Sequence, residues 1–306
     1  MNLTTNTRRL FNRVRRGVDN LPTVERRSRS RFLAARRRHR AANASAQAHV
    51  PAELRHDGFC LTSLKALGLP EVAAYRDSLD RLATDLAAQP IPKSDAVFTV
   101  WADDAAILKH PEVFRLGLHP PVLDLVESYL GFSPAYHGAY VRRDFARRSS
   151  SRSRLWHLDL EDHRMFKLIV YVRDVTEADG PIEVVPAAAS RRIVREQGYG
   201  GGWIHQPQLQ DAIEAAPRRS VTGPAGTVVL IDPSRVLHRG GPLEPGHERF
   251  TVFYDFTTAR PRRPYYCKSS VTPATLDVMR RPLDDRQRRA LDWRRPSKQP
   301  AVTASP

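Results

Sequence analysis

Hydrophobic and polar positions divide the chain into a helix-rich first part and a strand-rich second part. Between Pro70 and Leu86, apolar residues recur at helical spacing with charged residues between them, which predicts an amphipathic helix. Two shorter helices are predicted near 111–116 and 121–130, and Gly131 is placed to end the second. The first part therefore supplies helices that flank the rest of the fold.

After Gly131 the pattern changes to short apolar runs rich in β-branched residues and separated by glycine and proline, which predicts strands and turns. The runs lie at 166–172, 182–185, 227–231 and 250–256. Several short strands joined by turns indicate a mainly β fold, a sandwich or barrel with the helices packed outside. Residues 187–219 are too many for a hairpin turn and include four glycines, so we predict an inserted loop over a site.

Positive charge is concentrated near the N-terminus. Between Arg8 and Arg40 there are thirteen arginines against Asp19 and Glu25, which accounts for +11 of the formal net charge of +16. We expect residues 1–45 to form a basic arm, partly disordered or helical. Three interpretations remain open: a solvated arm, a contact with nucleic acid or an anionic membrane surface, and a cleavable transit-type peptide.

Length and composition exclude several classes of protein. The 306 residues are enough for one large domain or two modest ones. No run approaches the ~20 apolar residues of a membrane-spanning helix, which argues against an integral membrane protein. Cys60 and Cys267 are the only cysteines, too few for a disulfide framework or a four-thiolate zinc site. Cysteine usage therefore predicts a reducing, cytoplasmic environment.

The candidate chemistry begins at the triplet His157-Leu158-Asp159. Residues i and i+2 of a strand point to one face, so this imidazole and carboxylate are expected to project together. His238 follows a predicted strand, and Arg249 and Thr251 share one face of the next strand. Two imidazoles and one carboxylate form the facial triad that suits non-haem Fe(II) oxygenases. A guanidinium close by would hold a ligand carboxylate through two hydrogen bonds.

Each of these residues has rivals in the sequence. Glu161 or Asp162 would replace Asp159 if the register slipped, and His205 and His247 compete with His238. Arg239 competes with Arg249, although a local contact suits it better. Two interpretations remain open for four further residues: a place in a cosubstrate pocket, or ordinary packing in a sheet. These residues are Tyr140, Lys167, Tyr171 and Arg173.

Six motifs follow one another along the chain. They are Glu53-Leu-Arg-His-Asp-Gly-Phe59, His157-Leu-Asp159, Lys167-Leu-Ile-Val-Tyr-Val-Arg-Asp-Val175, Ala178-Asp-Gly-Pro-Ile-Glu-Val-Val-Pro186, His238-Arg-Gly-Gly-Pro242 and Arg249-Phe-Thr251. Together they resemble the phytanoyl-CoA dioxygenase family over residues 51–258. The resemblance implies a double-stranded β-helix, or jelly roll. Members commonly have a Gly-Ser-His stretch where this chain has Ala187-Ala-Ala-Ser-Arg191, a departure that concerns the substrate pocket.

The same resemblance implies site residues and cofactors. His157, Asp159 and His238 match the iron ligands, Arg249 matches the residue that grips the distal carboxylate of 2-oxoglutarate, and Thr251 adds a hydroxyl to that carboxylate. The cofactors implied are Fe(II), 2-oxoglutarate as cosubstrate and O2.

We therefore expect an Fe(II)- and 2-oxoglutarate-dependent dioxygenase that hydroxylates a small organic substrate and releases succinate and CO2. The domain is expected at 46–260, followed by a basic tail at 261–306 with one helix. One alternative is a non-catalytic β-barrel module that binds a ligand or a polyanion. The other is a cupin-like metal enzyme without 2-oxoglutarate, which has no need of a carboxylate clamp at Arg249.

Overall fold

The computed structural model describes residues 14–15, 17–19, 21–42, 49–147 and 152–294. The expected basic arm at 1–45 therefore lies partly outside the described residues, as does the end of the expected tail. Within the described ranges, no helix is long and apolar enough to cross a membrane.

Nine strands in the described residues form two antiparallel sheets. The larger sheet has the order β1-β7-β4-β9-β3-β2, and the smaller has the order β6-β5-β8. The strands are β1 (Phe59–Ser63), β2 (Thr99–Trp101), β3 (Pro134–Phe145), β4 (Phe166–Tyr171), β5 (Ile182–Val184), β6 (Arg219–Val221), β7 (Thr227–Ile231), β8 (His238–Gly240) and β9 (Glu248–Thr258). This is the jelly roll that the sequence predicted, and each of the four predicted runs contains a strand.

Strand β4 shows how the larger sheet separates an apolar face from a polar one. Phe166, Leu168 and Val170 are fully buried in the main core, which fills the space between this sheet and the helices. The alternate residues Lys167, Ile169 and Tyr171 line a cavity on the opposite face. Since side chains alternate along a strand, one sequence supplies both the core and the cavity wall.

Ten helices of the described chain surround the sheets. They are α1 (Pro22–Ala42), α2 (Ala52–His56), α3 (Val72–Ala87), α4 (Asp104–Lys109), α5 (Pro111–Arg115), α6 (Pro120–Leu130), α7 (Ala187–Glu196), α8 (Pro207–Glu214), α9 (Pro273–Arg280) and α10 (Asp285–Leu291). The three helices predicted before Gly131 are confirmed as α3, α5 and α6. Gly131 has φ 71°, the left-handed conformation that ends a helix.

Two expectations about the second half need correction. Residues 187–219 hold helices α7 and α8 rather than an irregular loop, because Ile193, Leu209 and Ile213 bury an apolar side in a cluster with Trp156, Val185 and Leu237. The segment 261–294 contains two helices instead of one. Helix α9 is only eight residues long and begins at the side-chain cap of Thr272, a signal that a search for long apolar stripes misses.

The basic arm is helical in α1 and packs on the body of the protein through one face. The Phe32 ring lies 5.2 Å from the ring centroids of both Phe132 and His163. Ser28 Oγ lies 2.8 Å from His163 Nε2. The opposite face exposes Arg26, Arg27, Arg29, Arg31, Arg37 and Arg38. Contact of that face with nucleic acid or an anionic membrane surface stays a prediction.

Arg36 joins α1 to the end of α6. Its Nε donates to the carbonyl of Leu130 at 2.7 Å, and its Nη2 donates to the carbonyl of Tyr129 at 2.8 Å. The last carbonyls of a helix have no partner within the helix, so a guanidinium between them caps α6 and fixes α1 at the same time.

The Arg36 contact predicts a stability difference between two neighbouring arginines. Arg36→Ala removes two charge-assisted hydrogen bonds and is expected to lower the free energy of unfolding by about 1–3 kcal/mol. Arg37→Ala, on the exposed face, is the matched control and should change it by less than about 0.5 kcal/mol. Urea unfolding of the full chain measures both. Equal values for the two variants would show that α1 is not docked through Arg36.

Candidate metal centre

His157 and His238 are held together by their own backbones. Each residue donates its N–H to the carbonyl of the other at 3.1 Å. The pair forms an isolated bridge, so His157 and Asp159 do not lie on a continuous strand as the sequence suggested. Asp159 is fixed separately, because its N–H donates to the carbonyl of Pro233 at 2.9 Å. Residues far apart in the chain are thereby brought to one point.

The tautomers of the two imidazoles follow from their hydrogen bonds. His157 Nδ1 lies 2.8 Å from the carbonyl oxygen of Leu155, and His238 Nδ1 lies 3.0 Å from that of Val236. Because a carbonyl can only accept, Nδ1 carries the proton in both rings and Nε2 offers a lone pair. This arrangement is typical of metal-binding histidines.

The Nε2 lone pairs meet the carboxylate of Asp159. Asp159 Oδ1 lies 3.6 Å from His157 Nε2 and 4.0 Å from His238 Nε2. One ligand atom from each of the three residues lies within 4.8 Å of the other two. Two neutral imidazoles and a carboxylate are the donor set preferred by non-haem Fe(II). The residues present therefore fit a ferrous ion.

The protonation states suit a metal as well. Burial lowers the pKa of His157 to about 3, with a further contribution from His238. Burial likewise lowers the pKa of His238. Burial alone would raise the pKa of Asp159, but the Lys167 ammonium and the two imidazoles outweigh it and hold that pKa below its usual range. Both histidines are neutral and Asp159 is ionised near neutral pH, as metal ligation requires.

The rival residues have other contacts. Asp162 accepts hydrogen bonds from the backbone and hydroxyl of Thr258, at 3.1 and 2.6 Å. Glu161 accepts from the N–H of Leu160 at 2.8 Å. His247 Nδ1 lies 2.9 Å from Asp179 on the exterior. None of the three belongs to the His157, Asp159 and His238 group in the described chain.

Of the remaining candidates from the sequence, some lie away from the three-residue group and others line the cavity. His205 lies outside the group, in the segment before α8. Arg239 pairs with Glu183 at 2.8 Å, the local contact that the sequence favoured. Arg173 is exposed, whereas Tyr140, Lys167 and Tyr171 line the cavity.

A second charged cluster lies on β3 and β9 in the same cavity. Arg249, only 3% exposed, donates from Nη2 to Asp144 Oδ2 at 2.9 Å. Arg142 Nε lies 3.1 Å from the same oxygen and 3.4 Å from the hydroxyl of Thr251. Two guanidinium groups share one carboxylate, and the buried guanidinium of Arg154 also acts on it, which leaves a buried excess of positive charge. Arg249 Nη1 is buried and has no hydrogen-bond partner among the described residues, so the cluster fits an incoming carboxylate.

Both clusters line one cavity of about 590 Å³. The wall also includes Trp101 and Trp203, which are 46% and 43% exposed and stand at its opening. Trp203 lies between α7 and α8, and its ring centroid is 4.4 Å from that of His157. Residues 187–219 were expected to lie over a site, and Trp203 of this segment lies beside the candidate metal ligand His157.

Arg142 and Asp144 were missed by the sequence reasoning. The signal was present, because β3 is apolar apart from a few residues and these two alternate on one side of it. In the antiparallel register, Arg142 lies opposite Thr251 and Asp144 opposite Arg249. An ionisable pair in an otherwise apolar strand, matched to an arginine on its neighbour, indicates a buried charge cluster.

The geometry defines a jelly-roll protein with a candidate iron site and a candidate carboxylate-binding site in one cavity. Residues 54–250 match the model of the phytanoyl-CoA dioxygenase family, and the chain belongs to that family. It is a non-haem Fe(II) oxygenase that uses 2-oxoglutarate and O2, as the sequence predicted.

Two solved structures illustrate the likeness of the fold. The epimerase SnoN, in complex with Fe3+, alpha-ketoglutarate and nogalamycin RO, is 17% identical, with a TM-score of 0.48, over 68% of this chain and 82% of that one. EctD from S. alaskensis, with 2-oxoglutarate and 5-hydroxyectoine, is 18% identical, with a TM-score of 0.49, over 72% of this chain and 86% of that one. A search of curated proteins found no match.

The charge cluster predicts that Asp144 is essential for folding. Burial would raise the pKa of Asp144, but Arg142 and Arg249 lower it below its usual value. Asp144→Asn leaves two buried cations without a counter-ion and is expected to cost about 3–5 kcal/mol in urea unfolding. In the native protein the stabilisation by ionised Asp144 is complete above the pKa of an unfolded aspartate, about 4. It is lost as the pH falls toward the lower pKa that Asp144 has in the folded state.

The control for Asp144 is Asp85→Asn. Asp85 also pairs with a cation, Lys109, at 2.7 Å, but on the surface. Its substitution should leave the unfolding midpoint nearly unchanged. An Asp144→Asn variant as stable as this control would contradict a buried excess of positive charge.

Proposed function

We propose that the protein hydroxylates a small organic substrate, with His157, Asp159 and His238 as the iron ligands and with Arg249 and Thr251 binding 2-oxoglutarate. The proposal rests on one observation: the three ligand atoms within 4.8 Å of one another share a cavity with the unpaired, buried Nη1 of Arg249. A molecule that ligates metal at one end and carries a carboxylate at the other fits this arrangement.

The overall reaction conserves all atoms. One oxygen atom of O2 enters the C–H bond of the substrate as a hydroxyl, and the other enters 2-oxoglutarate, which loses CO2 and becomes succinate. When bound, Fe(II) supplies the activation of O2. The protein side chains bind and orient: the imidazoles and Asp159 hold the ion, and Arg249 fixes the distal carboxylate. Trp203 shields His157 from water.

Asp159 favours hydroxylation over halogenation. A halide bound to iron would need the coordination position that the carboxylate takes, and here that carboxylate lies 3.6 Å from the Nε2 of His157. The alternative of a non-catalytic binding module gains no support from the cavity, since ligand or polyanion binding does not require two imidazoles, a carboxylate and an unpaired arginine together.

We also propose that the oxygenase domain comprises residues 46–260. Its core contains residues of α2 through β9, and Met279, Leu283 and Leu291 of the following segment pack into the same core, so the predicted tail is joined to the domain. The buried free thiols of Cys60 and Cys267 support the predicted reducing, cytoplasmic environment.

The first test is an anaerobic titration of the metal-free protein with Fe(II) and 2-oxoglutarate, followed by visible absorption. The wild type is expected to give a metal-to-ligand charge-transfer band. His157→Ala should abolish it, since one of three ligands is missing. Arg249→Met should keep the band but require roughly 10–100-fold more 2-oxoglutarate, because only the distal carboxylate loses its partner.

His247→Ala is the matched control, since His247 is also paired with a carboxylate but lies on the exterior. It should titrate as the wild type does. Absence of the band in a wild-type protein that binds Fe(II) would refute the 2-oxoglutarate assignment. Loss of the band in the control as well would refute the ligand set.

A further inference from the structure

Lys167 occupies a central position beside the candidate ligands. It lies on β4, opposite Asp255 of β9 and Ile231 of β7, so its backbone is fixed on both sides by the larger sheet. Its Nζ lies 2.7 Å from Asp159 Oδ2 and 3.3 Å from Asp255 Oδ2. The side chain is 18% exposed.

The two oxygens of Asp159 therefore have different neighbours. Oδ1 is the oxygen near the two imidazole Nε2 atoms, at 3.6 and 4.0 Å. Oδ2 forms an ion pair with the ammonium of Lys167 at 2.7 Å. Rotation of the carboxylate about its Cβ–Cγ bond would break this ion pair in a largely buried place.

We propose that Lys167 is a positioning residue that keeps Asp159 bound to the metal through one oxygen only, and that Asp255 holds Lys167 in place. The inference rests on the proposed ligand set. A carboxylate that binds through one oxygen takes one coordination position, whereas a chelating carboxylate takes two. With two imidazoles, single-oxygen binding leaves three positions of an octahedral ion for a bidentate cosubstrate and O2.

Charge explains why the position carries a lysine with two acidic partners. A buried ammonium with a single carboxylate would form a neutral pair. If that carboxylate, Asp159, then bound a divalent ion, the ammonium would lose part of its stabilisation. Asp255 is a second counter-ion on the other side of Nζ. Glu161 also faces Lys167 and favours its charged form. The ammonium thus keeps a partner whether or not a metal holds Asp159.

A purely structural role for Lys167 makes a different prediction. Removing Lys167 alone breaks a buried ion pair and leaves Asp159 and Asp255 without their cation, which destabilises the fold in either case. If Lys167 served only the sheet, Lys167→Met would lower stability and leave metal affinity alone. If it orients Asp159, metal affinity falls as well.

The experiment measures the affinity of the metal-free full chain for Mn(II) and Co(II), without 2-oxoglutarate, together with thermal unfolding. Lys167→Met is expected to weaken both affinities roughly 10–100-fold, the range found when a group supporting a metal ligand is removed. Its unfolding midpoint should fall, since two buried carboxylates lose their cation, but the variant should remain folded at the temperature of the titration. Lys167→Arg, which keeps the cation, should recover at least part of the loss. The d–d spectrum of bound Co(II) should change in Lys167→Met, since it reports the number of ligand atoms.

Lys109→Met is the matched control, because Lys109 Nζ also lies 2.7 Å from an aspartate oxygen, that of exposed Asp85. It should bind metal as the wild type does. Wild-type affinity and an unchanged Co(II) spectrum in Lys167→Met would overturn the proposal. If Lys167→Met does not fold, Asp255→Asn decides: a loosened Lys167 should weaken metal binding several-fold, and an unchanged affinity overturns the inference.

Failure of the underlying ligand set gives a distinct result. If Asp159→Ala binds metal as well as the wild type, the assignment of Asp159 is wrong, and the role of Lys167 falls with it. If Asp159→Ala loses metal while Lys167→Met does not, the ligand set stands and only the positioning role is refuted.

Discussion

The antiparallel pairing of β9 with β3 on one side and β4 on the other fixes the charged groups of the cavity. Arg249 faces Asp144, Thr251 faces Arg142, and Asp255 faces Lys167 across these two ladders. A shift of one residue in either pairing would turn the charged side chains into the apolar core. The large core on the other face therefore maintains the register that the chemistry requires.

Buried charge in this cavity is arranged in two opposite senses. In one cluster, two arginines share Asp144, and the imbalance is positive. In the other cluster, Lys167 lies between Asp159 and Asp255, and the imbalance is negative. Each cluster is thus complementary to one part of the expected cofactor pair, the carboxylate of an organic acid and a divalent cation. Because both imbalances are buried, they are costly in the metal-free protein and are relieved by binding.

The sequence predicted the parts of this architecture that depend on local pattern. The strands containing Ile169 and Val229 and the helix ended by Gly131 followed from spacing and turn residues. The choice of His157, Asp159 and His238 over their rivals followed from the family resemblance. Arg142 and Asp144 were not predicted, because their importance depends on a cross-strand partner more than 100 residues away. The pairing register of strands that are distant in the chain cannot be predicted from any one segment. Helices α7 and α8 were missed for a similar reason, since their few apolar residues are buried by Trp156 and Leu237, which are distant in the chain.

The docking of α1 shifts the boundary of the folding unit. The family match begins at residue 54, yet Phe32 packs on Phe132 and His163, and Arg36 caps the helix that precedes Phe132. A shortened chain that starts at the family match would leave an aromatic surface open to solvent and two helix carbonyls without their cation. The part of the arm that forms α1 is thus packed as an integral piece of the folded unit, although it precedes the family match.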